Sequence, residues 1–281
     1  MSEEVLILRR FSERHLALCC TVLVIGAAFY SPATRAGELL YGVTAVNGTL
    51  TVRSLDLSNA RVEERGSLPQ PTDDRLSAVF QNQDRSINVI RTSTQRDVKR
   101  RASIGNIGIP GLLTDATGGQ LTGLAANDSV SSLIIPKSGP PIALIAHYSD
   151  TPPFYLVALD PQSWQPTALP SPWLDPSTRY GHLTECPDGA IYASSHAIED
   201  GVHVIQIRLD QATVREISEL SVDGRALRND VSDLACARSG QVYALADPDY
   251  SGSNSLFEVD LTNGAMTLLR KFEVDRVVFV H

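Results

Sequence analysis

The chain has 281 residues, of which 43% are hydrophobic and 20% are charged. This composition predicts a packed core and argues against an intrinsically disordered protein. The formal net charge of −8 argues against a nucleic-acid-binding protein, because such proteins usually present a basic surface. We therefore expect no nucleic acid among its partners.

The first 36 residues resemble an export signal. Three arginines within the first 14 residues precede an apolar run over residues 16–30, and small residues follow it. This order is typical of a secretory signal peptide, and the run is shorter than the ~20 residues of a membrane span. We predict that residues 1–36 are a signal peptide or, alternatively, an uncleaved N-terminal anchor. The protein is then exported to the periplasm or the extracellular space, without stable membrane insertion if the signal is cleaved.

The remaining residues, 37–281, are predicted to form a single domain. Residues 39–68 show three short apolar segments separated by turns, and they lack a strand before the first of these segments. Residues 76–104 form a second, less regular unit, which is followed by a glycine-rich stretch. The basic cluster at residues 96–101 is interpreted as a solvated edge strand, because charged edges prevent strands of different molecules from pairing.

The second half of the chain contains a repeat of about fifty residues. Aspartates close successive units at intervals of 50 residues, at Asp160, Asp210 and Asp260. Glycines of an inner turn recur at nearly the same interval, at Gly139, Gly189 and Gly240. A fixed period of this size indicates stacked supersecondary units, and four hairpin-linked strands per unit are typical of a β-propeller blade.

These patterns predict an all-β fold, a propeller of five blades with four antiparallel strands each. Six blades are the alternative if residues 112–127 form a degenerate blade. The last apolar segment, at residues 277–280, has no blade of its own, and the first unit lacks its innermost strand. We predict that this segment pairs with the strand at residues 39–43, because ring closure removes exposed sheet edges.

One stretch carries a resemblance to known propellers. Ser232 to Leu245 reads Ser-Asp-Leu-Ala-Cys-Ala-Arg-Ser-Gly-Gln-Val-Tyr-Ala-Leu and resembles the NHL and SMP-30/gluconolactonase-like repeats of the β-propeller superfamily. The resemblance concerns architecture. SMP-30-like lactonases bind a metal through acidic and amide side chains at the mouth of the channel. The matching positions here are Ser132, His182 and Asp233, which lack that combination, so we predict no metal site and no cofactor.

His182 and Asp233 are the candidate ligand-binding residues. Each precedes the leucine of its unit, so both are predicted to lie on inner strands near the central channel. A histidine beside an aspartate forms an acid–base pair or half of a metal site. The alternative is that they are ordinary polar lining of a channel filled with water.

Cys186 and Cys236 occupy similar places in neighbouring units. An oxidising compartment would allow them to pair. Their distances from the leucine of each unit differ by one residue, which in extended strands points the two side chains to opposite faces. We name them as a candidate disulfide, with two buried free thiols as the alternative.

A segment near the C-terminus approximates a calcium loop. Asp247, Asp249, Ser251 and Glu258 stand at the positions that hold a hard cation in such loops. The flanking segments are predicted strands, however, and the corresponding loops of the other units do not repeat the pattern. We favour a hairpin loop rich in turn residues.

These observations predict an exported binding or scaffold module for a protein or a small ligand. No serine or cysteine nucleophile stands in a recognisable motif. One alternative is an SMP-30-like metal-dependent hydrolase or lactonase that uses channel residues. Another is a structural subunit of an envelope complex.

Overall fold

The computed structural model describes residues 38–93, 102–108, 116–125, 127–147, 151–167, 169, 174–197 and 200–281. The predicted signal or anchor at residues 1–36 and the basic cluster at residues 96–101 lie outside these ranges. Every regular element within them is a β-strand, and no helix there is long and apolar enough to cross a membrane. The all-β fold class is confirmed.

The described residues form 22 strands. In chain order they are β1 (Leu39–Val46), β2 (Thr49–Asp56), β3 (Arg61–Pro69), β4 (Asp74–Gln81), β5 (Ile87–Ser93), β6 (Ala102–Gly108), β7 (Ala116–Leu121), β8 (Asp128–Ile134), β9 (Ile142–His147), β10 (Thr151–Leu159), β11 (Pro166–Thr167), β12 (Arg179–Glu185), β13 (Ile191–His196), β14 (Val202–Arg208), β15 (Thr213–Glu219), β16 (Ser221–Val222), β17 (Arg225–Ala226), β18 (Asp233–Cys236), β19 (Val242–Ala246), β20 (Ser255–Val259), β21 (Ala265–Lys271) and β22 (Arg276–Phe279).

These strands form the five blades of a β-propeller. From the centre outward, the blades are β22-β1-β2-β3, β4-β5-β6-β7, β8-β9-β10-β11, β12-β13-β14-β15 and β18-β19-β20-β21. The innermost strands β4, β8, β12, β18 and β22 contact one another in sequence around the ring. Five blades are confirmed. The alternative of six blades is wrong, because residues 116–121 form the outermost strand of the second blade.

The last strand closes the ring. β22 pairs antiparallel with β1, so that Phe279 lies opposite Leu40 and Val277 lies opposite Gly42. The predicted pairing is confirmed. Gly42 is required at this place, because a Cβ atom there would approach Cγ1 of Val274 to 2.7 Å. The first blade is therefore built from both ends of the domain.

The core lies between neighbouring blades. Each apolar cluster takes its side chains from two adjacent sheets; one of them joins Leu144 of the third blade to Ala193 of the fourth. This arrangement follows from the alternation of side chains along each strand, which presents one set to each neighbouring blade. The packed blades hold the innermost strands in place around the channel.

The fifth blade carries an additional hairpin that the sequence patterns did not indicate. β16 runs parallel to β21 at the outer edge, and β17 pairs with β16. The hairpin covers an edge that would otherwise expose unpaired backbone groups. Gly264 allows the close approach, since a Cβ atom there would overlap the carbonyl oxygen of Glu219.

Cys186 and Cys236 form a disulfide, with their Cα atoms 5.2 Å apart. The candidate disulfide is confirmed. Both sulfurs lie in one apolar cluster between the fourth and fifth blades. Blades stack face to face, so side chains on opposite faces of neighbouring sheets point towards each other. The cysteines differ by one residue in their positions along equivalent strands. Their side chains therefore point to opposite faces of the two sheets and meet between the blades.

Candidate functional site

The candidate site is one mouth of the central channel, which we call the polar mouth. It lies where the innermost strands begin, and it encloses a cavity of ≈ 190 Å³. The polar side chains that define it are Arg75, Ser131, Arg179, His182, His196, Asp230 and Arg276. They come from all five blades, so only the closed ring assembles the site.

His182 lies at a bulge in β12. The pairing register with β13 shifts between Gly181 and Thr184, and His182 adopts a φ of 58°. A bulge re-aims a side chain, and a non-glycine residue in the left-handed region is uncommon outside functional or strained positions. The imidazole is mostly buried, and its Nδ1 lies 3.4 Å from Oδ1 of Asp233. The structure thus brings together the two residues that the sequence singled out.

Asp233 has a structural task as well. Its Oδ1 accepts a hydrogen bond from the backbone N–H of Leu234, and its Oδ2 accepts one from that of Val277 in the closing strand. The side chain is buried below the polar mouth. Most of the acceptor capacity of this carboxylate is therefore used by the protein itself, and its ligand-binding role stays a prediction.

The same kind of bond links other innermost strands. Ser132 Oγ accepts a hydrogen bond from the backbone N–H of Leu183 at 2.9 Å. Thr184 Oγ1 accepts one from the backbone N–H of Cys236 at 3.0 Å. A side-chain oxygen of one blade thus receives a backbone N–H of the next blade, and these bonds hold the wall of the channel together.

Ser132 does not occupy the channel position that was assigned to it. In the strand register, Ser131 of β8 occupies the position that His182 occupies in β12. Ser131 lines the polar mouth, whereas Ser132 is buried. The cause is the turn after the strand. It spans residues 135–141 in the third blade but residues 186–190 in the fourth, which shifts the pairing.

A second histidine–aspartate pair was missed by the sequence analysis. Nδ1 of His196 lies 2.6 Å from Oδ1 of Asp230, and NH1 of Arg179 lies 2.8 Å from Oδ2 of the same carboxylate. A carboxylate on Nδ1 orients the imidazole so that its Nε2 faces away from the partner. Asp230 belongs to the fifth blade and His196 to the fourth, so this pair depends on the packing of two blades.

A repeat signal marks the histidine of this pair but not its aspartate. His147 and His196 are the last residues of equivalent strands, β9 and β13. In the third blade, Nδ1 of His147 lies 3.0 Å from Oδ1 of Asp128. Tyr155 donates its hydroxyl to the same buried carboxylate, and burial, together with that carboxylate, raises the pKa of Tyr155. The tyrosine therefore remains a protonated donor.

Arg276 connects the polar mouth to the backbone of two neighbouring blades. Its guanidinium donates to the carbonyl oxygens of Ser77 and Ser232, in the second and fifth blades, and to that of Asp275. Carbonyl oxygens orient the guanidinium but do not neutralise its charge. Of the described residues that line this cavity, three are arginines and one, Asp230, is a carboxylate. The fixed charges of the polar mouth are thus predominantly positive.

The segment that approximates a calcium loop forms a hairpin loop between β19 and β20. Asp247 accepts hydrogen bonds from the backbone N–H groups of Ser251 and Gly252, so its carboxylate closes the loop. Glu258 lies in β20 opposite Tyr243. Within the ranges that the structure describes, no three His, Cys, Asp or Glu side chains are grouped to hold a metal ion.

No protein-family model matches the chain, and no curated protein matches it. Solved structures do resemble it. Xyloglucan PUL GH43B of Bacteroides ovatus is 15% identical, with 85% of this chain and 55% of that chain covered and a TM-score of 0.53. A putative 6-phosphogluconolactonase of Bacteroides fragilis is 11% identical, with coverages of 89% and 100% and a TM-score of 0.49. Regucalcin of Agrobacterium tumefaciens, a calcium-binding protein, is 11% identical, with coverages of 86% and 78% and a TM-score of 0.46. An identity of 15% shows the fold alone. The five four-stranded blades confirm the architectural resemblance to β-propellers.

Proposed function

We propose that this chain is a binding module that takes a small anionic ligand at the polar mouth. The observation that carries the proposal is the cluster of Arg75, Arg179 and Arg276 around one small cavity, in a protein whose net charge is −8. Arginine suits this task, because its planar guanidinium pairs with two oxygens of a carboxylate or a phosphate.

The dimensions of the cavity restrict the ligand. Its volume of ≈ 190 Å³ is below the roughly 300–1,000 Å³ of pockets that enclose drug-sized molecules. A small acid, or the anionic end of a larger molecule, suits this space.

The neighbouring groups supply the orientation. Asp230 holds both Arg179 and His196, so these side chains lose little conformational freedom when a ligand binds. Backbone strain such as that at the bulge of His182 clusters at ligand sites. Export is part of the proposal and is supported by the disulfide, because disulfides persist in oxidising compartments.

Calorimetric titration tests the proposal. Phosphate, gluconate and glucose 6-phosphate serve as probes, with uncharged glucose as the reference. We expect at least one of the anions to bind saturably, more tightly than glucose and more weakly as salt is raised. Arg179→Gln should lower that affinity by about tenfold or more, since a charge-assisted hydrogen bond contributes roughly 1.5–3 kcal/mol.

Arg208→Gln is the matched control, because Arg208 is an exposed arginine at the end of β14 and lies outside the polar mouth. Its affinity should equal that of the unaltered protein. The proposal is wrong if no anion binds, or if both arginine variants bind it equally well.

A hydrolase is the second candidate, and the His196–Asp230 pair favours it. An imidazole that a carboxylate holds through Nδ1 can act as a general base through Nε2. Sugar lactones are suitable probes. Hydrolysis that His196→Gln abolishes, while anion binding persists, would support this candidate over a module that only binds.

A further inference from the structure

The channel has a second cavity at its opposite end, where the innermost strands finish. It encloses ≈ 340 Å³. All five blades contribute apolar side chains, among them Phe80, Ile135, Leu183, Leu234 and Val278. We call this cavity the apolar mouth.

Several charged and amide groups at its rim make hydrogen bonds within the protein. The Glu185 carboxylate accepts the backbone N–H of Lys137 at 2.9 Å, and Nζ of Lys137 donates to the carbonyl oxygen of Pro187 at 2.7 Å. The Gln81 side chain likewise accepts the backbone N–H of His281 at 3.0 Å and donates to its carbonyl oxygen. A charged ligand would have to displace these bonds or lose its hydration without a replacement, which is costly.

Polar side chains separate this cavity from the polar mouth. Arg276 spans the channel wall between the second and fifth blades, and Asp233 binds the closing strand next to it. Asp233 lines the apolar mouth, whereas His182 lines the polar mouth. The two cavities are thus stacked along one channel with different chemistry.

We propose that the apolar mouth is a second binding site, for a small neutral molecule or group that consists of one or two aromatic rings. The volume supports this class of ligand. Apolar cavities of about 150 Å³ in proteins stay dry and bind benzene, and the apolar mouth is larger. Of the described residues that line it, 14 are apolar and eight are polar or charged. A predominantly apolar lining with a smaller set of polar groups is also the usual form of a small-molecule site.

The test is a calorimetric titration of the full chain with indole. Indole should bind saturably with a stoichiometry of one. Its anionic and cationic relatives, indole-3-acetate and tryptamine, should bind more weakly than indole at this site, since either charge would be desolvated.

Variants locate the site. Ile135 and Val278 line the cavity from the third and first blades, and both are only partly buried. Ile135→Trp fills the cavity and should lower the affinity for indole by about tenfold or more. Val278→Phe fills it from the other side and should act in the same direction. Leu268→Trp is the control, since Leu268 is exposed on the outer strand β21.

The outcomes separate this proposal from the one on the polar mouth. Arg179→Gln should leave indole binding unchanged, whatever it does to anions. The apolar site is refuted if indole does not bind saturably, or if both filling variants bind it as the control does. If Ile135→Trp does not fold, as shown by loss of its cooperative thermal transition, Val278→Phe decides the question.

Discussion

The backbone N–H of Val277 donates a hydrogen bond of 2.8 Å to Oδ2 of Asp233. This bond joins the strand that closes the ring to the innermost strand of the fifth blade. A residue that the sequence marked as a ligand-binding candidate therefore also holds the propeller closed.

Asp233→Ala should destabilise the protein. The substitution leaves the buried N–H of Val277 without an acceptor, and we expect a loss of about 3 kcal/mol in the free energy of unfolding. Asp233→Asn keeps one acceptor oxygen and should cost less. Urea denaturation measures both, with Asp249→Ala as the control because Asp249 is an exposed aspartate in a loop. Equal midpoints for Asp233→Ala and Asp249→Ala would show that the bond does not matter.

Phe279→Ala tests the closure of the ring. Phe279 is buried in the closing strand, and its ring centroid lies 5.6 Å from that of Tyr243. Truncation of a buried phenylalanine costs roughly 3–5 kcal/mol. Leu268→Ala is the comparison, because this side chain is exposed and should lose about 0.5 kcal/mol or less. Deletion of residues 276–281 should be more damaging than either. Equal melting temperatures for Phe279→Ala and Leu268→Ala would contradict closure by this strand.

The disulfide should contribute substantially to stability. It encloses a separation of 50 residues between the inner strands of two blades. Loss of a native disulfide typically costs roughly 2–5 kcal/mol. We expect the double variant Cys186→Ala, Cys236→Ala to unfold at a lower urea concentration. Addition of a reductant to the unfolded chain should then shift the refolding midpoint of the original protein and leave that of the variant unchanged. A midpoint that is insensitive to complete reduction would refute this contribution.

His281 should make the protein more sensitive to acid. Burial lowers the pKa of His281 below its ordinary value of 6.5. The folded protein then binds this proton less readily than the unfolded chain, so protonation favours unfolding. The stability that the neutral His281 contributes is fully present above pH 6.5, and it is lost as the pH falls through the lowered pKa of the folded state.

His281→Gln removes this titration. When the pH is lowered from about 8 to about 5, the free energy of unfolding of the original protein should fall by more than that of the variant. Urea denaturation at the two pH values measures it. A difference that is constant, or that moves the other way, would exclude His281 as the source.

Part of the candidate site could be predicted from the sequence. The alignment of repeats placed His182 and Asp233 on neighbouring inner strands, and the structure finds them 3.4 Å apart. It assigned the wrong serine in the third blade, because a longer turn shifts the register there. The alignment did not identify the pair of His196 and Asp230, because its members belong to two different blades and no spacing within one blade relates them.

The sequence by itself determined the repeating unit and the partner of the last strand, and it favoured five blades over six. These features rest on local signals: alternation along a strand, turn residues at fixed intervals, and an apolar segment that lacks a unit of its own. The tertiary structure alone decided which side chains meet at the two mouths of the channel. A single bulge reverses the face to which the following side chains point, and contacts between blades join residues about fifty positions apart. The chemistry of the channel therefore appears only after the blades are packed.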